Sequence, residues 1–168
     1  MKSDAKSQLK KIIGDYDDKL AATERIDKAN REAHAAFPAR FVALKTETIQ
    51  PAIQEIADML NERGHEASVR EQDESSSAVG GVKSAAITLR VVPKPFAGRA
   101  GEANPITIEI TFSANRSGRK VTVSSTNTMI GHAGNIGKRG EYEIDAVTAD
   151  VVAIHVIQTL AEAFGGTR

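Results

Sequence analysis

The chain has 168 residues, 40% hydrophobic and 26% charged, a globular composition that excludes a disordered or collagen-like protein. It contains no Cys and no Trp, which excludes disulfides, thiolate metal sites and a cysteine nucleophile, and leaves the core to Ile, Val, Leu and Ala. The 22 Lys/Arg and 22 Asp/Glu cancel overall but are segregated: 12 against 15 over residues 1–82, 9 against 2 over 83–140, and 1 against 5 over 141–168. Acidic ends around a basic middle point to an anionic partner or to complementary self-association.

Residues 4 to 36 read as a helix. Leu9, Ile13, Tyr16 and Leu20 follow a 4-3-4 spacing that places them on one face, and the stripe then slips to Ala22, Ile26, Ala29, Ala33 and Phe37. Lys2, Lys6, Lys10 and Lys11 oppose the helix dipole at that end. Pro38 is expected to end this helix by pushing Phe37 out of the helical region, so 1–37 reads as a charged helix and 38–168 as an α+β domain. A second helix is predicted to about Arg63 on the row Ile49, Ile53, Ile56 and Leu60, with Gly64 as its left-handed cap. Pro51 either opens a new helix or kinks a long one.

From Glu66 the period becomes two. A short first strand holds Ala67, Val69 and Glu71, and the Ser/Gly-rich 73–81 reads as a loop. The second strand carries Ile87, Leu89 and Val91, and Pro93 to Pro105 reads as a wide loop. The third carries Ile106, Ile108, Ile110 and Phe112 against Thr107, Glu109 and Thr111. A hairpin turn at 115–118 leads to a fourth strand with Val121 and Val123 inward. Such alternation predicts an antiparallel sheet with one face buried and one wet. Gly131 to Gly140 reads as a connection before a short strand at 141–144, and a final helix starts at the N-cap Thr148. That helix is apolar nearly all round (Val151, Val152, Ile154, Val156, Ile157, Leu160, Phe164), which predicts cover on most sides. The expected fold is α+β: two N-terminal helices, a four- to five-stranded mainly antiparallel sheet with one wet face, and a C-terminal helix on its apolar face.

Two groups of residues are candidates for binding. The glycines at 131, 134, 137 and 140 could expose backbone N–H groups to a phosphate, with Lys138 and Arg139 adding charge. The phosphate-binding fingerprints need a helix directly after the loop, however, and here a strand follows, so the competing reading of Gly134 and Gly137 is a plain connection between strands. The basic set Arg90, Arg116, Arg119, Lys120, Lys138 and Arg139 could form an anion-binding surface, but nucleic-acid-binding sheets add stacking aromatics and no outward position here is aromatic. Solubilising and charge-pairing roles are the alternative for these cations.

Of the four histidines, His132 in the glycine series is the one to consider for chemistry, and it lacks neighbours for acid–base work. No metal-ligand spacing, nucleophile elbow or cofactor motif occurs. The leading expectation is therefore a non-enzymatic binding or protein-interaction module, homodimeric and cytoplasmic, with no cofactor, no metal and no membrane contact. The alternative is an anion-binding protein using 83–140 for nucleic acid or a phosphorylated ligand, and an enzyme ranks third. No stretch approaches the roughly 20 apolar residues that span a bilayer.

Overall fold

The computed structural model describes residues 3–77, 80–97, 106–129 and 132–165, with the side chains at 3, 77, 128, 129 and 132–136 left aside. The chain forms two compact units, 1–36 and 37–168, whose boundary falls inside helix α1 (Ser3–Leu44). The first unit is helical throughout its described length. Its apolar stripe is in water: Leu9, Ile13, Tyr16 and Leu20 are between 46% and 64% exposed.

In the second unit the predicted break at Pro38 does not occur, because Pro38 lies within α1. Phe37 and Phe41, on either side of it, are both buried in the core, and that burial outweighs the backbone hydrogen bond that proline forfeits. A π-helical turn follows (Lys45–Ile49), in which the Gln50 N–H donates to the Lys45 carbonyl, and α2 (Gln50–Glu62) begins with Pro51 in its first turn. Proline supplies no N–H there, so the widened turn and the fresh helix start fall together. Gly64, at φ +85°, ends α2. The Gly64 N–H donates to Asn61 O (2.9 Å) and the His65 N–H to Leu60 O (3.1 Å), the paired bonds of a left-handed cap.

Five antiparallel strands form one sheet in the order β1-β4-β5-β6-β7: β1 (Glu66–Gln72), β4 (Ala86–Val92), β5 (Thr107–Asn115), β6 (Lys120–Met129) and β7 (His132–Glu143). Part of the stretch expected as loop pairs instead as a two-stranded ribbon, β2 (Ser75–Ser77) with β3 (Gly81–Lys83). The predicted loop over 93–105 begins with a 3-10 turn (Lys94–Phe96), and residues 98–105 lie outside the described residues.

The alternation holds register across the sheet. Ile87, Leu89, Val91, Ile108, Ile110, Phe112, Val121 and Val123 are all buried on one face. They meet Ile49 of the π-turn, Ile53 and Ala57 of α2, and Val152, Val156 and Leu160 of α3 (Ala149–Gly165). The other face carries Thr88, Arg90, Glu109, Thr111, Thr122 and Ser124, all partly solvated. Thr148 caps α3 through its Oγ1, which accepts from the Val151 N–H at 3.3 Å.

The largest correction concerns 132–143. Where a glycine connection and a short strand were expected, β7 runs for 12 residues along β6, so Gly134 and Gly137 belong to a strand and not to a phosphate-cradling loop. Glycine is a poor strand former, which hides this strand from a propensity reading. A Cβ at Gly140 would lie 2.7 Å from Tyr142 Cε2, so any larger residue there would force the Tyr142 ring to shift. The pairing slips between Val123/Ser124 and again between Asn127/Met129. At the first slip Arg139 is the unpaired extra residue, and such a bulge re-aims the side chain it carries.

Candidate functional site

The proposed basic surface is largely self-neutralised. On the wet face Arg90 faces Glu109 (3.6 Å), Lys138 pairs with Glu141 (3.2 Å) and Lys120 with Glu143 (3.7 Å). Arg116, beside the β5–β6 turn, holds Glu74 at 2.5 Å. The Glu141 carboxyl is held below the usual carboxylate range by hydrogen bonds from Asn115 and Lys138. Asn115 also organises the turn, accepting from the Gly118 N–H (3.2 Å) and the Ser117 hydroxyl (2.9 Å), while Arg119 takes the left-handed position at φ +54°. Five of the six candidate cations thus answer a carboxylate of their own chain once Arg139 is included. The structure does not gather them around one point: Arg139 turns toward α3, Arg90, Lys120 and Lys138 lie on the wet face, and Arg116 and Arg119 sit in the β5–β6 turn. The side chain of His132 lies outside the described residues, as does Gly131.

The bulge sends Arg139 toward α3. Its guanidinium donates to both carboxylate oxygens of Glu162 (2.7 and 2.6 Å) and its Nε to Ser125 Oγ (2.7 Å). That hydrogen bond and charge lower the Glu162 pKa and raise that of Arg139. Beside this fork, Tyr142 Oη and His155 Nε2 lie 2.6 Å apart, and the rings meet edge-on at 5.5 Å. His155 is buried and its Nδ1 has no hydrogen-bond partner. Burial, reinforced by the nearby Arg139 charge, pushes its pKa down. The arrangement ties the bulged edge of the sheet to α3. A neutral imidazole in a site with an unsatisfied ring nitrogen and a positive neighbour is poorly placed to accept a proton during turnover. Nothing in the sequence foreshadows this cluster except the placement of His155 on an otherwise apolar helix.

A second polar cluster sits at the π-turn. Lys45 is only 3% exposed, and its Nζ lies 2.9 Å from Glu71 and 3.1 Å from Asp73. Burial opposes its charge, but the hydrogen bonds and charges of the two carboxylates more than offset this, so its pKa is raised. Among the described residues no group of three or more His, Cys, Asp or Glu could hold a metal ion, and no helix is long and apolar enough to cross a membrane.

The remaining feature is the outer surface of the helical layer. Ile154 and Ile157 of α3 are 51% and 59% exposed, and Met59 of α2 is exposed as well. Between the two helices runs a shallow groove floored by Ala52, Ile56, Ala153 and Ile157 and rimmed by Glu47, Glu55 and Asp150. The all-round hydrophobicity of α3 is the sequence signal for this surface, and only its inner half is covered within the chain. No family model, characterised protein or solved structure matches this chain.

Proposed function

We propose that this protein is a non-enzymatic interaction module that self-associates as a homodimer, beginning at its N-terminal helix. One observation carries this reading: the stripe Leu9, Ile13, Tyr16 and Leu20, spaced as the inner positions of a two-stranded coil, is exposed along its whole length. A helix whose apolar face stays in water has only intrinsic propensity to hold it, and pairing with a second copy supplies the missing burial. With Ile13 and Leu20 in one inner row and Leu9 and Tyr16 in the other, Lys19 of one copy falls opposite Glu24 of the other in a parallel pair, an attractive flanking contact. The exposed Ile154 and Ile157 of α3 support the same reading from the second unit. A twofold pair is the commonest closed arrangement for such a surface.

The test is the mass of the full chain in solution at micromolar concentration and moderate salt. A dimer is expected, and Ile13→Asp combined with Leu20→Asp should give a monomer with an unchanged melting transition for the sheet unit. A monomeric parent protein would overturn the proposal. The anion-binding alternative is weakened by the ion pairs of Arg90, Arg116, Lys120, Lys138 and Arg139. It is decided by whether any nucleic acid binds at low salt with an affinity that falls steeply as salt rises.

A further inference from the structure

We infer that the second unit carries a binding site for a neutral, two-ring aromatic molecule, independent of the self-association proposed above. At one end of the sheet lies a cavity of about 280 Å³, bounded by Phe96 after β4, Ile108 of β5, Asn127 of β6, Ala163 and Phe164 of α3, and His65 at the α2 cap. Size sets the first limit on its occupant. An apolar cavity of about 150 Å³ stays dry and takes up a single benzene ring, so nearly twice that volume suits two fused rings.

Polarity sets the second limit. Among the described residues no Asp, Glu, Lys or Arg lines the cavity, and burying an unpaired charge there would cost far more than the contacts return. His65 and Asn127 are the polar members of the wall, enough to orient one heteroatom. The walls themselves set the third limit. His65 and Phe164 stack at 5.2 Å with planes only 20° apart, and with Phe96 they make three of the lining residues aromatic, a wall suited to a flat ring.

The site is also built in advance of any ligand. The His65 backbone is fixed by the α2 cap, and its Nδ1 accepts the Lys94 N–H at 3.0 Å. That bond sets the tilt of the imidazole ring. Such a wall loses little freedom on binding, which favours affinity for a small rigid ligand.

The test titrates the full chain with indole while following the methyl resonances of Ile108 and Ala163 by NMR, with indole-3-acetate as the charged control. Saturable shifts at both methyls are expected, with a dissociation constant on the order of 0.1–1 mM for a ligand of this size, and at least tenfold weaker binding of the acetate. Ala163→Phe should fill the cavity and abolish the shifts. Should that variant fail to fold, Phe96→Ala, at the half-buried rim, should weaken indole binding several-fold with the fold intact. No saturable shift, equal binding of the charged analogue, or binding indifferent to these substitutions overturns the inference.

Discussion

The two faces of the five-stranded sheet carry the same kind of contact in different geometries. On the wet face Arg90 approaches Glu109 at 3.6 Å through one nitrogen, among threonines and serines that reach solvent. On the helix-covered face Arg139 grips Glu162 with two parallel bonds and Ser125 with a third, all at 2.6–2.7 Å. Exposure does not separate the two pairs: the Arg90 and Glu109 side chains are 22% and 37% exposed, those of Arg139 and Glu162 26% and 61%. A single long approach between partly solvated ions gains little. A complete two-bond fork with a third bond to Ser125 fixes direction as well, and so orients the elements it joins. Geometry, and not residue type, decides which charges of the basic middle segment hold structure.

Five substitutions would break or sharpen this contrast. The largest effect belongs to the apolar side: Ile110→Ala, at a fully buried position of the central strand, should destabilise by about 2–5 kcal/mol in a denaturant titration. Thr111 next to it faces the wet side, and a larger loss from Thr111→Ala would mean that the face assignment is inverted.

Next comes Arg139→Met, which removes the fork and the bond to Ser125. A cost of about 1–2 kcal/mol is expected, less than three charged hydrogen bonds would suggest because Glu162 stays solvated. A neutral outcome would make the bulge contact incidental.

The third prediction concerns pH. The folded-state pKa of His155 is depressed, so the unfolded chain binds this proton more readily. Stability from this site is full above the unfolded value of about 6.5 and is lost as pH falls below it toward the depressed folded value. His155→Gln should therefore reduce the loss of stability between pH 7.5 and pH 5 relative to the parent, measured by denaturant midpoint. An unchanged pH dependence would remove His155 from the account.

The smallest effect is expected for Arg90→Ala, within about 1 kcal/mol and shrinking further in high salt.

Much of this contrast was legible before the structure. The large apolar residues at every second position of 87–91, 108–112 and 121–123 announce which side is buried, because a period of two leaves no other arrangement. Gly64 was readable for a comparable reason, since few residues other than glycine tolerate the left-handed backbone at a helix end. What escaped depends on partners far along the chain. Pro38 is carried within a helix because Phe37 and Phe41 find a core supplied by distant strands. The strand at 132–143 exists because β6 offers a template for it, and its glycines conceal it from any local reading. Arg139 and Glu162 stand 23 residues apart on different elements, so no spacing rule joins them. The basic set looked like one surface in sequence, whereas Lys138 and Arg139 are successive residues of the strand that the glycines conceal and so point to opposite sides of the sheet.

The bulge at Arg139 has a bearing on how copies of the protein meet. β7 is the longest strand and lies at the edge of the sheet, where a row of unpaired N–H and C=O groups would ordinarily invite another strand to add on. Its pairing with β6 proceeds in two regular runs of four residue pairs, 120–123 with 140–143 and 124–127 with 135–138, separated by the extra residue. An incoming strand would have to reproduce that irregularity to continue its ladder past Arg139. A regular strand cannot do so, and this edge therefore resists the open-ended stacking that leads to fibrils.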